Sequence, residues 1–202
     1  MFRIFCIAIG YLIGCIQTAF IVSKFWRVDL RTKGSGNLGT TNALRVLGKK
    51  AGAVTFIGDI MKSVVAFFIC RAIFGEAGNL AGLYGSIGAV LGHNYPFYLQ
   101  FKGGKGIAVM IGMTLALAIT VNPWVALPTA VIGFGTAFAT GYVSLGSLLF
   151  SAVLPLSCWY LGFPKEMLFV VLGASLLAFW RHRANIVKLC NGTENKFGAK
   201  KK

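Results

Sequence analysis

Long apolar runs alternate with short polar clusters along the chain. Seven runs can be placed, at about 3–25, 52–74, 79–96, 106–121, 123–140, 145–161 and 165–181. None shows the strict alternation of a barrel strand, and in hydrocarbon only helices or closed barrels bond every backbone group, so all seven are predicted to be helical. Between Gly106 and Pro164 there is no Asp, Glu, Lys, Arg or His, which at roughly 20 residues per crossing leaves room for about three spans. Asn122-Pro123 and Phe163-Pro164 mark tight turns between them. Arg3 precedes an uncharged run from Ile4 to Ser23 with no small-residue cleavage site, so this run is expected to remain as the first span. The pattern predicts an all-α, polytopic integral membrane protein of about seven transmembrane helices, with residues 1–202 forming one domain.

Composition agrees, with 56% hydrophobic residues and a mean hydropathy of +0.74, too apolar for an ordinary soluble domain. The formal charge of +15 raises nucleic acid as a partner, but there is no zinc-finger spacing, RNP-like pattern or soluble basic helix to carry it. Anionic lipid and small anions remain. The five cysteines form no C-x-x-C pair, and Cys6, Cys15, Cys70 and Cys158 fall inside apolar runs, so neither disulfides nor a metal site is expected. Basic residues set the orientation. Lys24, Arg27, Arg31, Lys33, Arg45, Lys49 and Lys50 follow the first run; Lys102 and Lys105 follow the third; Arg181, Arg183, Lys188, Lys196, Lys200, Lys201 and Lys202 follow the seventh. The opposite side holds Arg3, Arg71 and Lys165. The positive-inside rule therefore puts the N-terminus outside and the C-terminus, with all three polar clusters, in the cytoplasm.

The cluster GHNYPFYLQFKGGKG, Gly92 to Gly106, carries the first chemistry. Gly103, Gly104 and Gly106 let the backbone approach a ligand closely and turn successive N–H groups into one concavity, while Lys102 and Lys105 add charges suited to phosphate. Gly106 and Ile107 stand where a Walker A loop has Ser or Thr, so nucleotide hydrolysis is disfavoured. Tyr98 stands where a His-x4-Asp acyltransferase box starting at His93 needs its acid. A plain Gly-rich turn at the lipid headgroups is the simpler reading of the same residues. The segment from Lys33 to Arg45 forms a second cradle: Gly34, Gly36 and Gly39 allow close approach, Ser35, Asn37, Thr41 and Asn42 supply neutral hydrogen-bonding groups, and Arg45 supplies a fork for phosphate. A flexible polar loop would share that composition.

Asp59 and Lys62, three apart inside the second run, share a helix face and are expected to pair. The loop Gly141 to Ser147 places Ser144 and Ser147 on the side of the clusters, although small residues there also permit close helix packing. Beyond the seventh run, His182 is the natural proton carrier, Asn185 lies about one turn on, and Glu194 is placed to hold a basic residue. A stop-transfer run of basic residues accounts for the same stretch more plainly.

GSGNLGTTNALR at 34–45, GHNYPFYLQFKGGKGIA at 92–108 and GTENK at 192–196, with GDIMKS at 58–63 and HRANI at 182–186, resemble the PlsY family of bacterial acyl-phosphate:glycerol-3-phosphate acyltransferases. Thr40 stands where that family usually has Ala, and Val109 where it often has Thr. The resemblance implies a bacterial inner-membrane enzyme, working at the cytoplasmic side without a cofactor. It would move a fatty acyl group from acyl phosphate to the 1-hydroxyl of glycerol 3-phosphate. By motif, the Gly103-Gly104-Lys105-Gly106 loop would hold the acyl-phosphate phosphate, and Ser35, Arg45, Lys105, His182 and Asn185 would surround glycerol 3-phosphate. Lys105, His182, Ser35 and Arg45 are the candidate catalytic residues. Gly34, Gly36, Asn37, Thr41, Asn42, His93, Lys102, Ser144 and Glu194 complete the candidate binding set. No serine sits in a nucleophile elbow, so direct transfer is expected, with His182, Asp59 or a substrate phosphate as the base. Acyl phosphate, glycerol 3-phosphate and membrane lipids are the implied partners, nucleic acid is not, and a monomer is the working assumption. The competing reading is a transporter for phosphate or an organic phosphate, which calls for a discontinuous helix and an internal repeat; no convincing repeat is found. A scaffold that binds anionic lipid would need only the charge.

Overall fold

The computed structural model describes residues 1–197, so Lys200, Lys201 and Lys202, counted above on the cytoplasmic side, lie outside the described residues. Ten α-helices and three short 3-10 turns make up the regular structure, with no strand among the described residues. Each of the seven apolar runs becomes helix. Four helical segments are long and apolar enough to cross a membrane, Phe2–Phe25, Lys49–Ile73, Pro123–Thr140 and Val143–Tyr160; a bent pair, Lys165–Arg181 with Arg183–Cys190 at 57°, makes up to five. Ile107–Thr120 is apolar but shorter.

The chain divides into two compact units, Met1–Thr120 and the remainder from Val121. In the first, α1 (Phe2–Gly14) and α2 (Thr18–Phe25) are followed by the amphipathic α3 (Thr40–Leu47), the long α4 (Lys49–Ile73), α5 (Gly78–Asn94) and α6 (Ile107–Thr120). Glycines bring α1 and α5 together: a Cβ on Gly10 would strike the Gly85 carbonyl, one on Gly88 the Ile7 carbonyl, and one on Gly92 the Tyr11 carbonyl. With little hydrophobic driving force between helices in lipid, such backbone approach supplies the packing.

The first run remains one candidate span, Phe2–Phe25, as expected, but its helix is interrupted at Cys15–Gln17, where Gln17 is extended. Three of the polar groups at the break are met from inside. Tyr98 Oη donates to the Cys15 carbonyl at 2.7 Å, Lys62 Nζ to the Ile16 carbonyl at 3.1 Å, and Gln17 Nε2 to the His93 carbonyl at 3.0 Å. A broken helix is tolerated at membrane depth under that condition.

In the second unit α7 (Ala126–Thr140), α8 (Val143–Tyr160) and α9 (Lys165–Arg181) pack in sequence, and α10 (Arg183–Cys190) rests against α8 and α9. A Cβ on Gly146 would strike the Gly133 carbonyl and come within 2.8 Å of Ala137 Cβ. The small residues of 141–147 therefore do serve helix packing. Only Gly141 and Tyr142 lie between helices, however: Ser144 and Ser147 belong to the first turns of α8, and Ser147 Oγ is spent on the Val143 carbonyl at 2.8 Å.

Candidate functional site

The loop between α2 and α3 is built on Asn42, which is buried at 1% exposure. Its Nδ2 donates to the Leu30 and Lys33 carbonyls, both at 3.1 Å, and its Oδ1 accepts the Ser35 N–H at 2.9 Å. Asn42 is thus spent on the loop instead of facing a ligand, which corrects the sequence expectation. Gly34 (φ +63°) makes room for it, since a Cβ there would collide with Asn42 Oδ1. Around this brace Ser35 and Arg45 are exposed, Gly34 and Gly36 too, while Asn37 and Thr41 are partly buried. Upstream, Asp29 carboxylate oxygens accept from Arg31 Nε at 3.0 Å and Nη2 at 2.8 Å. The guanidinium holds the Asp29 carboxyl below its ordinary range, and the turn keeps Arg31 paired.

The second loop grows from the end of α5. Gly103 N–H donates to the Asn94 carbonyl at 3.2 Å and Gly104 N–H to the His93 carbonyl at 3.0 Å. These two amides close a backbone turn and do not line an open nest as the glycine spacing suggested. The need for glycine is steric: a Cβ on Gly103 would meet the His93 carbonyl, and one on Gly104 the His93 ring and, at 2.7 Å, the Leu38 carbonyl. Gly106 adopts φ +86°, which only glycine takes readily. Lys102 is exposed and Lys105 partly buried at the same turn. Because Leu38 touches Gly104, and because Leu30, Leu38, Ala43 and Leu99 share one buried cluster with Ala19, the two Gly-rich loops are held side by side in the first unit.

Beneath them lies a charge cluster. Lys62 Nζ pairs with Asp59 Oδ1 at 2.8 Å, as the spacing predicts, and also meets His93 Nδ1 at 2.7 Å. His93 is 3% exposed, so the histidine assigned to substrate lies instead on the ion pair. Burying this pair is tolerable only because each charge finds a partner. The meeting of His93 with a pair 31 residues earlier leaves no trace in spacing.

In the second unit, His182 is buried with Nδ1 2.8 Å from the Ala178 carbonyl. A carbonyl only accepts, so His182 Nδ1 carries a proton and donates it. Asn185 Nδ2 donates to Glu194 Oε1 at 3.0 Å. Glu194 was expected to hold a basic residue; the structure gives it the amide instead, because α10 carries Asn185 toward the returning tail. That tail is pinned by Phe197 N–H on the Gly141 carbonyl at 2.7 Å and by Lys196 over the Tyr142 ring, next to the helix turn that bears the buried Ser144. No cluster of metal-ligating side chains occurs among the described residues.

The family model for glycerol-3-phosphate acyltransferase matches residues 4–192. Curated relatives named glycerol-3-phosphate acyltransferase include one from Clostridioides difficile, 43% identical over 96% of this chain and 94% of that protein, and one from Halalkalibacterium halodurans, 39% identical over 95% and 94%. A solved structure of PlsY, described as an integral membrane glycerol 3-phosphate acyltransferase in its glycerol 3-phosphate form, is 36% identical with a TM-score of 0.87, covering 97% of this chain and 96% of the other. The lysophosphatidic acid form of PlsY superposes with a TM-score of 0.86 at 35% identity, over 97% and 95%.

Proposed function

This chain belongs to the glycerol-3-phosphate acyltransferase family, and from that premise we propose that it transfers a fatty acyl group from acyl phosphate to the 1-hydroxyl of sn-glycerol 3-phosphate. The products are 1-acyl-glycerol 3-phosphate and phosphate, the first acylation of phospholipid synthesis. The observation that carries this reading is the pair of Gly-rich cationic loops joined at Leu38 and Gly104: two phosphorylated substrates need two anion cradles whose contents can meet. The 103–106 loop, with Lys102 and Lys105, takes the acyl-phosphate phosphate. Ser35, Arg45 and Lys105 bind glycerol 3-phosphate, and His182 and Asn185 are assigned to the same substrate on the family motif.

The glycerol oxygen attacks the acyl carbonyl carbon, the bond from that carbon to the phosphate oxygen breaks, and phosphate leaves with its electron pair. Phosphate is a good leaving group, so orientation and charge stabilisation matter more than a strong acid. The hydroxyl proton passes to His182 Nε2 or to a substrate phosphate. Asp59 is discounted as the base because Lys62 already holds it. The seven apolar helices are read as seven crossings, N-terminus outside. The basic loops and the C-terminus then lie at the cytoplasmic face of the bacterial inner membrane, and the chain acts as a monomer. The transporter reading did call for a discontinuous helix, and α1 and α2 form one. Its carbonyls are bound by the protein's own Lys62 and Tyr98, which argues against a translocation site there.

Acyl transfer by purified protein, followed with labelled glycerol 3-phosphate beside a Lys105→Ala variant, tests the reading: product should form and be lost in the variant. Rapid-quench trapping tests the mechanism, since a covalent acyl-enzyme would sink direct transfer.

A further inference from the structure

Lys62 has three N–H donors and no acceptor. Its Nζ lies 2.8 Å from Asp59 Oδ1, 3.1 Å from the Ile16 carbonyl and 2.7 Å from His93 Nδ1. The contact with Asp59 is an ion pair, while Lys62 hydrogen-bonds to the Ile16 carbonyl and to the imidazole; an ammonium can only donate, so His93 accepts at Nδ1 and its ring proton is placed on Nε2. That nitrogen is the edge of the ring turned to the second loop, because a Cβ on Gly104 would strike Nε2 itself. The His93 carbonyl meanwhile takes the Gly104 N–H at 3.0 Å. Side chain and main chain of one residue thus face one glycine, and the side chain is fixed from behind by a charge.

A pair present only to neutralise two charges in the membrane would need nothing beyond Asp59 and Lys62. Here Lys62 also donates to the imidazole and to the Ile16 carbonyl at the break between α1 and α2. We propose that Asp59 and Lys62 are positioning residues: they lock His93 as an Nε2–H donor against the Gly103-to-Gly106 loop and so hold that loop in the shape that takes a substrate's terminal phosphate group. The proposal rests on reading the loop as an anion cradle, but the tautomer lock can be tested without it.

The chain has only two histidines, which makes the lock directly observable. His182, donating from Nδ1 to the Ala178 carbonyl, carries a proton on the other ring nitrogen and serves as an internal reference. Full-length protein labelled with 15N-histidine is examined in detergent by two-bond 1H–15N correlation, as wild type and as the Asp59→Asn/Lys62→Met double variant, which removes both charges together. Wild type should show one Nε2–H ring and one Nδ1–H ring. In the double variant the His93 ring should become a mixture while His182 stays fixed. KM for one phosphorylated substrate should rise about tenfold to a hundredfold, the scale of a misplaced binding group, with kcat within about threefold. Acyl phosphate and glycerol 3-phosphate are titrated separately, so the one whose KM rises is the one whose phosphate the loop holds.

A wild-type His93 protonated at Nδ1 would overturn the lock. A variant that loses the lock with both KM values unchanged, or that loses kcat alone, would overturn the link to the loop. Should the double variant fail to fold, Lys62→Arg takes its place with the same readouts, since a planar guanidinium cannot aim donors at all three acceptors. If wild type transfers no acyl group, the spectrum still decides the lock, and phosphate-dependent shifts of the His93 ring then replace KM as the readout of the loop.

Discussion

Replacing Asn42 by Ala should open the first cradle without touching a substrate. The side chain makes three hydrogen bonds, to the Leu30 and Lys33 carbonyls and from the Ser35 N–H. At about 1 kcal/mol each, their loss costs the closed loop about 3 kcal/mol. With about 1.4 kcal/mol per factor of ten, the closed-to-open ratio falls about a hundredfold, which bounds the fall in apparent affinity for a ligand that needs the closed loop. Two measurements are paired: amide hydrogen exchange across residues 30–37, and KM for glycerol 3-phosphate. Exchange should accelerate in that segment while α4 stays protected, and KM should rise by roughly ten to a hundredfold. Asn42→Asp keeps the acceptor for Ser35 but loses both donors, so it should fall between. Activity lost with exchange unchanged would refute the brace and return Asn42 to the substrate.

Gly104→Ala should lower the thermal midpoint, since its Cβ meets the His93 ring and the Leu38 carbonyl and overpacking costs about 1–3 kcal/mol; Gly173→Ala, which meets nothing within 4 Å, should leave the midpoint level or higher. Glu194→Gln preserves an oxygen for Asn185 and should keep most activity, whereas Glu194→Ala should lose it, as initial rates will show; equal loss in both would mean that the charge, not the acceptor, matters. Because Arg31 depresses the Asp29 carboxyl, the 29–32 turn is held above the ordinary carboxylate range of about pH 4 and loosens as pH falls through the lower folded value. The Arg31 Nε resonance should therefore stay constant from neutral pH down to that range and shift only below it; a shift near neutrality would contradict the pairing.

Much of the architecture was legible because hydrocarbon leaves few choices: each apolar run became helix, and the Asp59–Lys62 spacing gave the ion pair. The break in the first run was not legible, since Cys15, Ile16 and Gln17 carry no strong breaker and the groups that stabilise it come from Lys62, His93 and Tyr98 far along the chain. Glycine spacing at 103–106 correctly marked a crowded backbone. Whether the amides or the missing Cβ atoms mattered depended on the carbonyls of His93 and Asn94. Asn42 was read as a ligand because an asparagine that braces its own loop looks, in sequence, like one that faces out of it.

The most direct measurement offers purified protein palmitoyl phosphate or palmitoyl-CoA with labelled glycerol 3-phosphate. The account predicts 1-acyl-glycerol 3-phosphate from the acyl phosphate alone. Product from the CoA donor alone would leave an acyltransferase but contradict the paired phosphate cradles, and no product from either donor would contradict the assigned reaction.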